Sequence, residues 1–356
     1  MSGHNLAPNA FSKKQSGLSL IELMIALLLG SILTVALVQI FTSNSQSFRS
    51  NQSMARSAES GRIAVDILAR AIRNAGFFGC YPITSLTNNL DSTDGNYNAL
   101  LHGYSTFGVS ADNAERPAGA VAGTGFFNVT GVRRPGDIVR LDADMTNGSS
   151  IQLNTDGSLS EGDVVFISNC EVGDLFEISS LNVSGSNVTI TADGTTGSNG
   201  RPGNDLSGNA PAGCGSQCLS ATYRRGTELF QAYSEGYFIG NATGGGRSLF
   251  KRERDGSTEE LVIGVEDMEI RFGEGTAANG VQNWLAAGAV SDWNSVIAVE
   301  VSLLVASEDN NVRDSAQTYC FPGWEDCVAD TSKRTTAADR RLYRVYNFTS
   351  ALRNPF

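Results

Sequence analysis

The sequence predicts an α+β protein in which one long N-terminal helix leads into a β-rich domain of antiparallel sheet. The run from Leu18 to Phe41 is apolar over 24 residues, and no proline interrupts the helical pattern before Pro82. From Phe77 onward Gly, Ser, Thr, Asn and Asp dominate, and the apolar residues come in short runs separated by turn dipeptides. We therefore expect a helix from Leu18 to about Ala75, followed by strands.

The apolar segment from Leu18 to Phe41 is long enough to cross a membrane. In a helix it spans roughly 36 Å, whereas a bilayer core is about 30 Å thick. Lys13 and Lys14 stand just before it, and positive charge holds that end of a spanning helix in the cytoplasm. A cleaved secretory signal is the alternative, but its apolar core covers only about 7–15 residues. We expect a single-pass membrane protein whose C-terminal part is exported.

Glu22 is a carboxylate inside this apolar run, and no other side chain between Leu18 and Phe48 is charged. A charged residue costs roughly 2.5–3.5 kcal/mol at the centre of a spanning helix by insertion scales. A charge retained at that cost is expected to have a partner. The alternative is a carboxylate that reaches the membrane surface and needs none.

Beyond Phe41 the predicted helix becomes amphipathic. Val65, Leu68 and Ile72 recur at helical spacing. The stripe is extended by Ala69 and Gly76 and widened by Ile63 and Ile67. A helix with one apolar face must pack on something, so this stripe is expected to cover one face of the sheet.

The strand candidates are short runs rich in β-branched and aromatic residues. They are Ile138–Leu141, Val164–Ser168, Leu175–Leu181, Asn187–Thr191, Glu228–Tyr233, Gly236–Ile239, Ser248–Arg252, Leu261–Val265, Met268–Phe272, Ile297–Val305 and Leu342–Phe348. Two stretches, Thr87–Gly131 and Gly194–Thr222, show little periodicity and are expected to be surface loops or insertions.

The charge balance disfavours nucleic acid as a partner. The 26 basic and 37 acidic side chains give a net charge of −11, which repels phosphate backbones.

The six cysteines all follow the apolar segment, so export across a membrane favours disulfides. Short spacings favour the pairs Cys320 with Cys327 and Cys214 with Cys218, which leaves Cys80 with Cys170. Fifteen connectivities remain formally open. A zinc site is the rival interpretation, but the spacings are loose for four thiolates and no histidine lies nearby.

The sequence offers no catalytic constellation, so we expect neither an enzyme nor a cofactor, and no metal site. The two histidines are His4, in the leader, and His102, which is expected to lie in a loop. Oxygen ligands stand near glycine turns in residues 91–96 and 142–148, but neither segment completes an EF-hand loop. Calcium binding there stays an open question.

The segment Gly17–Leu23 resembles the class III signal of type IV pilins and type II secretion pseudopilins. That signal has a short basic leader, then Gly, an apolar residue, Ser or Thr, Leu, an aliphatic residue and Glu, opening a long apolar helix. Leu18 departs from the usual Phe, and the apolar helix lacks the proline that many major pilins carry. Later segments resemble PilW-type minor pilins: Arg70–Cys80, Leu261–Met268, Arg271–Gly273, Val301–Val305 and Tyr346–Asn354.

The resemblance implies roles for three residues. A prepilin peptidase would cut after Gly17 and N-methylate Leu18, with Lys13 and Lys14 holding the leader at the inner face. Glu22 would pair with the new terminal amine of a neighbouring subunit in the filament, which supplies the missing partner.

The resemblance also implies a pilin-like layout. Residues 1–17 form the prepilin leader, 18–41 the transmembrane part of the helix, 42–77 its amphipathic continuation, and 78–356 the β-rich domain. The protein would be a minor pilin of the inner membrane that primes or caps a type IV pilus, with its β-rich domain in the periplasm and then on the pilus. Its partners would be other minor and major pilins. The alternatives are a minor pseudopilin of a type II secretion system and a pilus-tip adhesin.

Overall fold

The computed structural model describes residues 17, 19–79, 85–104, 108–111, 116–146, 148–194, 197, 200–209, 211, 214 and 217–353. The predicted fold class is confirmed, because one long apolar N-terminal helix precedes a β-rich domain with antiparallel sheets. The chain divides into two compact units, Met1–Gln52 and Ser53–Phe356. Each unit is described by itself.

The helices are α1 (Leu20–Asn74) and α2 (Ala99–His102), and short 3-10 turns lie at Ala287–Ala289, Trp293–Ser295 and Thr331–Lys333. The strands are β1 (Ser85–Asn88), β2 (Val109–Ser110), β3 (Phe126–Arg133), β4 (Ser150–Leu153), β5 (Val164–Ser168), β6 (Val172–Glu177), β7 (Ser180–Ser184), β8 (Asn187–Thr191), β9 (Leu229–Asn241), β10 (Arg247–Arg252), β11 (Thr258–Ile263), β12 (Val265–Thr276), β13 (Gly280–Leu285), β14 (Val296–Ala306), β15 (Thr318–Cys320), β16 (Arg334–Thr336) and β17 (Tyr343–Ala351).

In the first unit, α1 exposes its apolar side chains all round. Every large apolar side chain from Leu20 to Phe41 is between 53% and 79% exposed. Buried positions on α1 begin only at Ser53, which belongs to the second unit. The N-terminal part of α1 therefore has an apolar surface that nothing in its own unit covers.

The second unit contains two principal sheets. The larger has the order β1-β6-β5-β9-β10-β11, with β3 also on β9 and β2 on β3. Its pairs are antiparallel except β1 with β6. The smaller sheet has the order β13-β12-β14-β17 and is antiparallel throughout. Two further small sheets are β4-β8-β7 and β15-β16.

The main core packs the C-terminal part of α1 against residues of both principal sheets. Ala64, Leu68, Ile72 and Ala75 are fully buried there. Their partners in this cluster include Phe127 and Val129 of β3, Ile239 of β9, Met268 and Ile270 of β12, and Val299, Val301 and Leu303 of β14. The predicted stripe is thus shifted by one position at its start, and Ile63 is 44% exposed rather than buried.

On the same face of α1, nearer its N-terminus, small residues allow close contact between the helix and the sheet. Ser53, Ser57 and Gly61 are buried on α1. The ring of Tyr346 from β17 lies so close to Gly61 that a Cβ there would overlap it. A helix position with no side chain is therefore required at this contact.

Three hydroxyl groups of the sheets also donate to carbonyl oxygens of α1. Tyr346 Oη lies 3.5 Å from the Ser57 oxygen, Ser350 Oγ lies 3.3 Å from that of Ala69, and Tyr233 Oη lies 3.0 Å from that of Asn74. These contacts, spread along α1, fix its C-terminal part on the β domain.

A buried carboxylate anchors the segment that follows β8. Asp174 of β6 is 0% exposed and accepts four hydrogen bonds. The donors are Asn89 Nδ2 at 2.9 Å, Ser220 N at 3.0 Å, Ser220 Oγ at 2.8 Å and Tyr223 Oη at 2.7 Å. The described part of Gly194–Thr222, expected to be a surface loop or insertion, contains no helix or strand, but it also buries Leu206 and Leu219.

Several strand predictions were wrong for identifiable reasons. The supposed loop Thr87–Gly131 contains the second half of β1, α2, β2 and most of β3. Residues 126–129 of β3 are buried on both faces, so the strand lacks the alternation that reveals strands in a sequence. Ile138–Leu141 forms only isolated bridges, and Leu175–Leu181 is divided between β6 and β7.

Candidate functional site

The start of α1 places the residues predicted for processing and assembly close together. Gly17 is exposed, and a Cβ at this position would have no neighbour within 4 Å. Leu18 lies outside the described residues. Ser19 precedes the helix, and its Oγ accepts a hydrogen bond from the Glu22 N–H at 3.2 Å. Ser19 is therefore the N-cap of α1 and Glu22 stands in the first turn.

The pair Ser19 and Glu22 fits the Ser-x-x-Glu pattern of a capping box. This second role of Glu22 was not predicted, although the pattern is visible in the sequence. Capping contributes about 1 kcal/mol, and a carboxylate near a helix N-terminus roughly 0.3–1 kcal/mol. No described cation forms an ion pair with Glu22.

The helix that Glu22 opens is suited to an apolar environment. Its best 18-residue window has a mean hydropathy of 2.5, and none of that window is buried. By length and composition α1 can cross a membrane, and it is the one such helix among the described residues. An exposed apolar surface of this extent needs either lipid or other helices around it.

The outer face of the smaller sheet carries an ordered cluster around Arg271. Its Nε donates to Glu300 at 2.6 Å, and its guanidinium lies 5.2 Å from the Trp284 ring and 4.8 Å from the Trp324 ring. Asn347 donates to the same Glu300 at 2.8 Å. These contacts hold the Arg271 guanidinium between a carboxylate and two aromatic rings.

Two of the three predicted disulfides lie among the described residues. The structure joins Cys214 to Cys218, with 6.5 Å between their Cα atoms, and Cys320 to Cys327, with 6.0 Å. Both distances fall in the usual range for disulfides. The pairing of Cys80 with Cys170 involves Cys80, which lies outside the described residues. The Cys320–Cys327 bridge closes the segment that carries Trp324 over Arg271.

The remaining candidate residues do not assemble into a reactive site. His102 ends α2 and is buried, which corrects the expectation of a loop residue. Its Nδ1 accepts from the Asn98 N–H at 3.0 Å, and burial, with the charge of Arg254, lowers its pKa to about 4. In residues 91–96, where calcium binding was left open, Asp91 and Asp94 accept backbone N–H groups of their own turns. Among the described residues, no group of three or more His, Cys, Asp or Glu could hold a metal ion.

Two family models match the chain, in the parts that the resemblance concerned. The prokaryotic N-terminal methylation motif matches residues 12–38, which include Gly17, Leu18 and Glu22. Type IV Pilus-assembly protein W matches residues 236–354, which run from within β9 through β17. No curated protein and no solved structure matches the chain.

The two matches agree with the structure described above. The methylation motif coincides with the capped start of an apolar helix that can cross a membrane, and the pilus-assembly match covers the sheet that holds Tyr346 against α1. The two matches and the fold therefore support a PilW-type, membrane-anchored pilin-like protein related to type IV pili.

Proposed function

We propose that this minor pilin takes part in pilus assembly by priming or capping the filament through its N-terminal helix. The observation that carries the proposal is the position of Glu22. It is a carboxylate without a described cation, in the first turn of a helix whose apolar side chains are exposed all round. A helix of this kind is suited to packing with other pilin helices in an apolar surrounding.

The processing steps belong to the same proposal. A prepilin peptidase cuts after Gly17 and methylates Leu18, which creates a cationic amine at the new N-terminus. Gly17 suits cleavage because a peptidase needs close backbone approach, and this position is exposed. Glu22 then pairs with the terminal amine of a neighbouring subunit. Before export to the filament, the N-terminus is cytoplasmic and the β domain periplasmic, as Lys13 and Lys14 favour.

The test compares Glu22→Gln with Gln39→Ala in the full-length chain. Glu22→Gln removes the charge without changing shape, while Gln39→Ala removes an exposed polar group from the same apolar segment. We expect the Glu22 variant to be processed and membrane-bound but roughly ten- to a hundred-fold rarer in sheared filaments, because a hydrogen bond to a charged group contributes about 1.5–3 kcal/mol. The Gln39 variant should assemble normally. Equal incorporation of both variants would refute the pairing role of Glu22.

Two further strains complete the test. Gly17→Val places a branched side chain at the cleavage site and should leave a precursor longer by the leader, seen on a gel. Deletion of the gene should remove surface pili without affecting protein secretion. Loss of secretion with normal piliation would instead identify a pseudopilin of a type II secretion system.

A further inference from the structure

The smaller sheet ends in an edge strand that is covered at one end and open along the rest. β17 pairs with β14, and no other described strand lies on its second edge. At Tyr343 the second edge is closed by Gln317, whose side chain accepts from the Tyr343 N–H at 3.0 Å and donates to its C=O at 2.7 Å. The Gln317 amide thus imitates one residue of a neighbouring strand.

The Gln317 contact also fixes which backbone groups point outward. In an antiparallel pair, alternate residues direct both their N–H and C=O toward the partner strand. Leu342 bonds to Ser307, directly after β14, and Leu352 bonds to Ile297 of β14, while Tyr343 faces the other way. The residues in phase with Tyr343, which are Val345, Asn347, Thr349 and Ala351, therefore direct their backbone groups to the open edge.

Beyond Tyr343, where Gln317 closes the edge, no described strand or proline protects it, although Gly323 lies beside the side chains of Val345 and Asn347. Long edge strands are normally blunted by proline, lysine, bulges or a covering loop, because unpaired N–H and C=O groups recruit other strands. β17 runs for nine residues without a register shift and contains neither proline nor lysine. Asn347, Thr349 and Ala351 are exposed. An edge left open in this way is suited to pairing with another chain.

A groove of about 1040 Å³ lies beside this edge, between β17 and one flank of α1. Tyr346 and Asn347 line it from the sheet, and the helix side includes the small residues Ala55, Ala58 and Ala69. A strand added to a sheet lies about 4.8 Å from its neighbour. The small side chains on this flank of α1 leave room for such a strand beside β17.

The charges in the groove indicate the chemistry of its occupant. On the helix side, Arg62 and Arg73 have no ion-pair partner among the described residues, whereas Asp66 is paired with Arg70 of the same helix. Glu59 is the one remaining acid there, which leaves a positive excess. The exposed Ile63 adds an apolar contact. The matching segment is an extended strand that bears an apolar residue toward α1 and a carboxylate toward the arginines.

We propose that the open edge of β17 binds an extended strand of a neighbouring pilin subunit, which adds to the smaller sheet and fills the groove beside α1. The proposal rests on the proposed role in pilus assembly. α1 forms one wall of the groove, and it is also the helix that is proposed to pack with other pilins. A neighbouring pilin subunit is therefore the molecule that this packing brings to the groove. The outward groups of Val345, Asn347, Thr349 and Ala351 hold the added strand.

The test removes one outward N–H and leaves the pairing with β14 in place. Thr349→Pro deletes the donor, while Thr349→Val at the same position keeps it. Both full-length proteins should unfold at the wild-type temperature. The proline strain should carry about ten-fold fewer pili than the valine strain, because the added strand loses a ladder bond and meets the proline ring. Ala351→Pro serves as a second variant at the next outward position if Thr349→Pro does not fold.

Photo-cross-linking identifies the occupant directly. A benzophenone amino acid at Thr349, in the full-length chain in its own cells, should cross-link to a processed pilin subunit within an extended segment, and Ala351→Pro should lower the yield about ten-fold. The same probe at the exposed Val183 of β7 is the control and should give no such product. Cross-links to a second copy of this chain, or none above the Val183 level, overturn the inference.

The two proposals fail in different ways. Full piliation of the gene-deletion strain would overturn the assembly function itself. Loss of pili on deletion, combined with full piliation of both proline strains, would overturn only the role of the β17 edge.

Discussion

The contact between Gly61 and Tyr346 allows a sharp test of how α1 is held on the β domain. The substitution Gly61→Val has two opposed effects. It raises helix propensity by less than about 1 kcal/mol, because glycine is the poorest ordinary helix former. It also introduces a Cβ where the Tyr346 ring already lies, and overpacking of this kind costs about 1–3 kcal/mol. We expect a net loss of about 2 kcal/mol in the free energy of unfolding.

The assay is denaturant unfolding of the full-length protein in detergent, followed by tryptophan fluorescence. All three tryptophans lie in the β domain, so the signal reports on that domain. Gly30 is the matched control, because a Cβ there meets nothing within 4 Å, and Gly30→Val should leave the transition unchanged.

A double-mutant cycle isolates the contact from other effects. In a Tyr346→Ala background the overlap is gone, so Gly61→Val should cost almost nothing, which corresponds to a coupling energy of about 2 kcal/mol. An equal loss in both backgrounds would show that Tyr346 is not what Gly61 accommodates. Wild-type stability of Gly61→Val alone would refute the close packing altogether.

Two further predictions concern buried groups. Asp174→Leu should lower the free energy of unfolding by roughly 3–5 kcal/mol, because it leaves the Tyr223 hydroxyl and the other donors without an acceptor. The substitution Asp309→Asn at an exposed position should have no effect, and urea unfolding measures both variants. His102, with its pKa lowered from 6.5 to about 4 by burial and by Arg254, binds a proton more readily when unfolded. Stability should therefore fall as the pH drops from 6.5 toward 4, by roughly 2–3 kcal/mol between pH 7 and pH 4.5, and His102→Gln should abolish that part of the loss. An unchanged pH profile in the variant would contradict the burial of a neutral imidazole.

The sequence predicted the helix and some strands closely because their patterns are local. The helix was expected from Leu18 to about Ala75 and runs from Leu20 to Asn74, since an unbroken apolar and then amphipathic run has few alternatives. β5 and β8 have the predicted bounds, because turn residues flank each one. Such signals need no knowledge of the tertiary structure.

Other features depended on contacts that a sequence does not display. The predictions divided β9 into two strands around Ser234, but Ser234 is buried and the strand continues through it, since β3 pairs along both halves. The buried face of α1 includes Ser53, Ser57 and Gly61, which no scale of hydrophobicity would select. Ser57 and Gly61 are buried because Tyr346 of β17 approaches closely there. Similarly, nothing in the sequence indicated that Gln317 would close one end of an edge strand.

The hydroxyl contacts along α1 have a mechanical consequence. The three bonds from Tyr346, Ser350 and Tyr233 reach α1 at carbonyl groups between Ser57 and Asn74, which spreads them over roughly 25 Å of helix. A pull along the helix axis loads all of them in shear, so they must give way together rather than one after another. The attachment of the β domain to its helix is thus suited to bearing tension along the helix axis.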